Sequence, residues 1–121
     1  MGDYKKLEVW NLAKELSVDV YHLTLGGKLA NDFSFRDQIR RAAISVPSNI
    51  AEGEESGFDK LGVRYFFNAK ASLAELNTQL LIASRISYIT NKQYDEIHER
   101  IEVVSKMLRK LINYRKEFSK K

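Results

Sequence analysis

The chain has 121 residues, with one proline, no cysteine, 44% hydrophobic residues and 30% charged residues. This length fits one domain, residues 1–121, with a core of its own, and the lack of cysteine excludes disulfides and thiolate metal sites. The net charge is +4, but residues 103–121 carry seven basic side chains and one acidic side chain. Such a basic end indicates either an anionic partner or a solubilising helix end that suits the helix dipole.

The amino-terminal residues lack the apolar core of a signal peptide. The longest uncharged stretch, residues 42–51, has ten residues, whereas a membrane span needs about 20. We therefore expect a soluble, cytoplasmic protein.

The first predicted helix covers about residues 4–24, with Asp3 as its N-cap. Its apolar residues recur at alternating spacings of four and three, which is typical of a helix with one buried face. These residues are Val9, Ala13, Leu16, Val20 and Leu23. Gly26 and Gly27 break the pattern, and residues 26–35 form the predicted link to the next helix.

The second predicted helix covers about residues 34–53 and contains Pro47. Its apolar stripe is Phe35, Ile39, Ala42, Val46 and Ile50. A proline removes one backbone donor and crowds the preceding turn, which predicts a kink or a restart at this point. Gly53 and Gly57 predict the break that follows.

The third predicted helix covers about residues 58–87 and the fourth about residues 91–117. Thr90 and Gln93 have the spacing of a capping box at the start of the fourth helix. The stripe of the third helix is Phe66, Ala69, Leu73, Leu76, Leu80 and Ala83. The stripe of the fourth is Ile97, Ile101, Val104, Leu108 and Leu111.

No segment alternates with a period of two, so the sequence predicts an all-α fold. Four helices with this spacing and short links predict a mostly antiparallel, up-and-down four-helix bundle with left-handed packing. The third helix has consecutive apolar residues at 65–67 and 80–82, which one stripe cannot bury. It is therefore either a central helix or packs on another subunit. We favour a homo-oligomer, with interface residues Tyr65, Phe67, Leu81 and Ile82.

Residues for catalysis are sparse. His22 and His98, the two histidines, lie on different predicted helices. The sequence has no HExxH, GxSxG or P-loop motif, and it lacks the Glu-x-x-His pairs of di-metal bundles. We predict no enzyme activity, no metal and no cofactor.

Basic residues instead indicate a nucleic-acid-binding surface. They recur along the second and fourth predicted helices, and such a stripe can follow a phosphate backbone without reading bases. The candidate binding residues are Arg36, Arg40, Arg41, Lys106, Arg109, Lys110, Arg115 and Lys116.

Residues 38–53 read QIRRAAISVPSNIAEG, a proline within a helical pattern, followed by Ser-Asn and closed by Glu-Gly. This string, with residues 7–10, 20–24 and 71–80, resembles the four-helix bundle proteins encoded by intervening sequences in 23S ribosomal RNA genes. The resemblance covers nearly the whole chain and implies a homopentameric barrel. It also implies a likeness to the accessory variability determinant of diversity-generating retroelements, which binds nucleic acid and a reverse transcriptase through a basic surface.

Within this motif we expect a mainly structural role, in which polar side chains satisfy backbone groups freed by the proline. The alternative is partner binding. The motif residues concerned are Pro47, Ser48, Asn49, Glu52 and Gly53.

Two functions follow from the sequence. The first is an oligomer that binds RNA or DNA through its basic surface. The alternative is a protein-interaction scaffold without a nucleic-acid role, with its partner on the exposed part of the third helix or on the acidic stretch Glu52–Glu55.

Overall fold

The computed structural model describes residues 3–56 and 60–119, and the regular structure in these ranges is helical throughout. A 3-10 turn, Tyr4–Lys6, precedes α1 (Glu8–Leu23), α2 (Gly27–Asn31), α3 (Phe33–Glu55), α4 (Lys60–Arg85) and α5 (Asn91–Ser119). The all-α prediction is confirmed, although α2 lies where we had predicted only a link. In the part of the chain described here, no helix combines the length and the apolar character needed to cross a bilayer.

Of the two predicted N-terminal caps, the one at α5 is confirmed and the one at α1 is wrong. The amide of Thr90 donates to the Gln93 side chain at 2.8 Å and the amide of Gln93 to Thr90 Oγ1 at 3.0 Å, so the predicted capping box starts α5. Asp3 does not cap α1. Its carboxylate accepts a hydrogen bond from the Lys5 amide and caps the 3-10 turn instead. Asp32, which we had not identified as a cap, performs this role for α3.

Of the kink or restart predicted at Pro47, the restart is wrong, because α3 is one uninterrupted helix. Proline has no amide hydrogen, so the carbonyl four residues earlier, that of Ala43, loses its helical donor. Ser17 of α1 replaces that donor, with its hydroxyl 2.6 Å from the Ala43 oxygen. The prediction that Ser48 and Asn49 would satisfy this group is therefore also wrong. Asn49 donates to the Ser45 carbonyl.

Gly53 is not a helix breaker, since α3 continues to Glu55. Its role is close packing: a Cβ at this position would lie 2.5 and 2.7 Å from ring carbons of Phe66 and 3.0 Å from the carbonyl oxygen of Gly62. The missing side chain lets α4 approach α3 with Phe66 fully buried between them. Gly57, the second predicted break, lies outside the described residues.

Each long helix packs against two others: α1 and α4 both contact α3 and α5. The helices α3 and α4 are antiparallel. Ser45 contacts Ser72, whereas Gly53, which lies later in α3, contacts Gly62 near the start of α4. The four predicted stripes form the core, except that Leu23, Phe35 and Leu111 are only partly buried at its margin. On α5, Ile112 is buried and Leu111 lies at the margin, because a straight helix of 3.6 residues per turn drifts away from strict 4-3 spacing.

At least one polar contact joins each pair of adjacent long helices within the described residues. These contacts run from Ser17 to the Ala43 carbonyl, from Ser45 to Ser72, from Tyr94 and His98 to Asn77, and from Arg100 to Asp19. Hydrogen bonds at fixed heights oppose sliding of one helix along the next. They therefore fix the level at which each surface residue of one helix lies beside its neighbour.

Candidate nucleic-acid interface

Arg115 is in the core and not on the predicted basic surface. It is 4% exposed and forms an ion pair with Glu54, which is 7% exposed. Its guanidinium also lies over the ring of Phe66, 5.4 Å from the centroid. The pair joins α3 to α5 across the diagonal of the bundle, where it neutralises both charges. A residue in this position cannot reach a phosphate, so its assignment to the interface is corrected.

Arg36 and Arg40 of α3 are engaged by their own neighbourhood. The Nε of Arg36 lies 3.0 Å from the Asp37 carboxylate, and its Nη1 donates to the Ala30 carbonyl at 3.1 Å. Arg40 donates to Thr24 at 2.7 Å and stacks on Tyr21, 4.0 Å from the ring centroid. Both guanidinium groups therefore already have partners within the chain, and a phosphate would compete with these partners.

Arg41 is exposed and borders a shallow depression of about 360 Å³ on the outer side of α3. The depression also holds Ser48, Asn49 and Glu52 of the motif, together with Ile44 and Ser45. Ser45 bonds to Ser72 of α4. The motif thus has two sides: Pro47 and Gly53 shape the packing of α3, while Arg41, Ser48 and Glu52 are exposed.

The arginines of α3 and the cations of α5 lie at different heights. Arg40 contacts Tyr21 of α1 and Thr24, the residue that follows α1. Lys110 lines a depression with Glu8 and Val9 at the other end of α1. Val9 and Tyr21 are twelve positions apart on α1, which corresponds to about 18 Å at 1.5 Å per residue. The predicted single stripe is therefore two separate groups.

The larger basic group extends from α5 onto α4. Residues 60–74 and 103–116, in neighbouring antiparallel halves of these helices, contain eight basic residues and no acidic residue. With Arg115 neutralised in the core, seven remain, and we refer to these as the basic α4–α5 surface. They are Lys60, Arg64, Lys70, Lys106, Arg109, Lys110 and Lys116, all exposed except the half-buried Lys70.

Phe67 lies within this surface. Its side chain is 45% exposed, and the ammonium of Lys116 lies over its ring, 5.0 Å from the centroid. The sequence could not reveal this neighbour, because the two residues are 49 positions apart and meet only when α4 and α5 pack. A cation over an aromatic face is a favourable arrangement at an exposed site.

The four predicted interface residues do not form one surface. Successive helical residues are about 100° apart, so Tyr65 and Phe67 lie on nearly opposite sides of α4, and Tyr65 is half-buried. Leu81 and Ile82 are 37% and 46% exposed at the other end of α4. Ile86, absent from the prediction, is 48% exposed, and its amide bonds to the Ile82 carbonyl at 3.0 Å. We refer to the exposed residues Leu81 and Ile82, near the end of α4, and Ile86, just after it, as the upper apolar patch.

Across residues 3–56 and 60–119, the His, Asp and Glu side chains form no group of three or more arranged to hold a metal ion. His98 is half-buried and has defined partners. Its Nδ1 lies 2.8 Å from the Asn77 amide oxygen, which also accepts a hydrogen bond from Tyr94. The ring stacks on Tyr94 with centroids 5.5 Å apart, so the contacts of His98 hold α5 against α4.

Comparison with known proteins identifies relatives by sequence and by fold. Residues 5–110 match the family model described as 23S rRNA-intervening sequence protein. The chain is also similar to a Bacteroides thetaiotaomicron crystal structure, described as a protein with unknown function from the S23 ribosomal protein family. The TM-score is 0.78 with 24% identity, covering 86% of this chain and 97% of the other. At this identity the likeness is one of fold. A search of curated proteins gave no match.

Proposed function

The chain belongs to the 23S rRNA-intervening sequence protein family, and we propose that it is a non-enzymatic, cytoplasmic, oligomeric protein that binds nucleic acid through the basic α4–α5 surface. The observation that carries this proposal is that residues 60–74 of α4 and 103–116 of α5, in helix halves that pack side by side, contain basic residues and no Asp or Glu. The seven cations of the basic α4–α5 surface lie on these neighbouring stretches. A surface with an excess of positive charge attracts a polyanion, and each phosphate contact releases counterions.

The salt dependence of binding gives the first test. The logarithm of the affinity falls linearly with the logarithm of salt concentration, with a slope of about −0.7 per phosphate neutralised on a single strand. If all seven cations contact phosphates, we expect a slope of about −5. A slope near zero would contradict the proposal.

Charge reversal gives the second test. We expect Lys106→Glu with Lys110→Glu to weaken binding and reduce the salt slope, because both lysines are exposed on the basic surface. The matched control is Lys28→Glu with Lys92→Glu, two exposed lysines near the opposite end of the bundle. Both double variants change the net charge equally, so only a local surface distinguishes them. Equal binding by the two variants would reject this surface.

The upper apolar patch supports oligomerisation. Leu81, Ile82 and Ile86 are large side chains that remain 37–48% exposed on one end of α4. Contiguous exposed apolar residues mark interaction sites more often than isolated ones do. Light scattering in the binding buffer measures the mass of the assembly, and a monomer would contradict this part of the proposal.

The same patch favours the alternative function, a protein-interaction scaffold. The other surface considered for that role, Glu52–Glu55, is weaker, since Glu54 is buried with Arg115. A scaffold predicts that RNA and duplex DNA do not bind even at low salt, and that a partner protein is retained after nuclease treatment.

A further inference from the structure

Phe67 occupies a position that phosphate binding alone does not explain. Arg64 and Lys70 are three residues before and after it on α4, the spacing at which helical side chains are neighbours. Lys116 covers its ring from α5. A large aromatic side chain, 45% exposed, is therefore flanked by cations on both helices.

The polar surroundings distinguish this residue from the upper apolar patch. Phe67 and Leu81 are 14 positions apart, which is about 21 Å along the helix. Leu81, Ile82 and Ile86 are exposed apolar residues, whereas the residues three positions before and after Phe67 on α4 are cations and Lys116 lies over its ring. Two copies of this chain docked through Phe67 would bring like charges together, which opposes self-association at this point.

An aromatic ring among cations is the combination that binds single-stranded nucleic acid. Cations hold the backbone, while an unpaired base stacks on the ring. In a duplex the base faces are already stacked on one another, so the ring has no role there. For a base to stack on the face of the ring that Lys116 covers, the ammonium must leave that face, and it is then available to a phosphate.

We propose that the basic α4–α5 surface binds single-stranded rather than duplex nucleic acid, and that Phe67 is the platform on which one base stacks. This inference rests on the proposed function, because it needs the cations to hold the backbone. It adds the class of ligand and the residue that selects it. Neither depends on which bases the strand contains, since every base has a face that can stack.

The test compares Phe67→Leu with the unchanged protein, by fluorescence anisotropy with a labelled RNA strand of about 12 nucleotides, within the usual size range of such sites. Leucine keeps the side chain apolar and removes the ring. We expect about 5- to 150-fold weaker binding of the single strand, the range for loss of one base–aromatic stack. The salt slope and the affinity for the same RNA as a duplex should not change. A DNA strand of the same sequence shows whether the sugar matters.

Phe67→Trp is the matched variant, because it preserves an aromatic face, and we expect it to bind as tightly as the unchanged protein. A strand with one abasic position scanned along it provides an independent measurement. At the stacking position, removal of the base should weaken binding to the unchanged protein and have no effect on Phe67→Leu.

The outcomes separate this inference from the proposed function. If Phe67→Leu binds the single strand normally while Lys106→Glu with Lys110→Glu does not, the platform is refuted and the basic surface stands. Duplex binding as tight as single-strand binding refutes the selectivity. If the unchanged protein binds neither form at low salt, the proposed function fails. A change of assembly mass in Phe67→Leu would assign the residue to contacts between copies and overturn the inference.

Discussion

Replacement of Arg115 by alanine tests the most consequential correction to the sequence prediction. Arg115 and Glu54 are almost fully buried and pair across the bundle. Removal of one partner from a buried ion pair costs about 3–5 kcal/mol, because the other charge remains in the interior. Domains of this kind are stable by about 5–15 kcal/mol in total. For 121 residues the loss corresponds to a fall in Tm of about 12–20 °C.

Thermal and urea unfolding followed by circular dichroism measure this effect. The control is Lys106→Ala, an exposed basic residue of the same helix, for which we expect a change within about 0.5 kcal/mol. The double variant Glu54→Leu with Arg115→Met removes both charges and should recover most of the stability. It should also bind nucleic acid as the unchanged protein does. If Arg115→Ala unfolds at the same temperature as Lys106→Ala, the reasoning about the buried pair is wrong.

Two further predictions concern single hydrogen bonds. Ser17→Ala should destabilise the protein by about 1–3 kcal/mol, because the buried Ala43 carbonyl loses its donor. The same change should cost less when made together with Pro47→Ala, which returns a backbone donor, and additive effects in denaturant unfolding would contradict this. The Tyr88 hydroxyl donates to Asp32 at 3.0 Å, and this bond, with burial and the nearby negative charge, raises the pKa of Tyr88 above 10.0. The hydrogen bond from Tyr88 to Asp32 therefore stabilises the fold below pH 10, and this stabilisation is lost as the pH rises through the raised pKa of Tyr88. Asp32→Asn should lower the pKa of Tyr88 in an absorbance titration. An unchanged titration would contradict this.

Local patterns predicted the helices well, because their determinants are close in sequence. The spacing of apolar residues located all four long helices, and the side chains of Thr90 and Gln93 were sufficient to predict the start of α5. Errors arose where a distant residue decides the outcome. Pro47 fits within α3 because Ser17, 30 positions away, supplies the hydrogen bond that the proline cannot donate. Gly53 is required because the ring of Phe66, in the next helix, lies where a side chain would be. Neither partner can be identified before the helices are packed.

The basic surface was predicted in part for the same reason. Lys106, Arg109, Lys110 and Lys116 are exposed, because they lie away from the apolar stripe that the sequence makes visible. Arg115 was misplaced because charge suggested exposure. Its position continues the buried series through Leu108 and Ile112, so helical periodicity already favoured the core. The side chain enters it because Glu54 supplies the opposite charge from α3.

The outer side of α4 has two ends of different character, and this division makes the proposals compatible. Phe67 and its cations lie at one end, and Leu81, Ile82 and Ile86 at the other, about 21 Å away. An assembly whose contacts are confined to the upper apolar patch would leave the basic surface of every copy open to solvent. Several such surfaces on one particle would bind a long strand more tightly than one surface does, because each later contact is intramolecular. An assembly through Phe67 would instead cover the cations, so the position of the contact between copies decides whether this protein can hold nucleic acid at all.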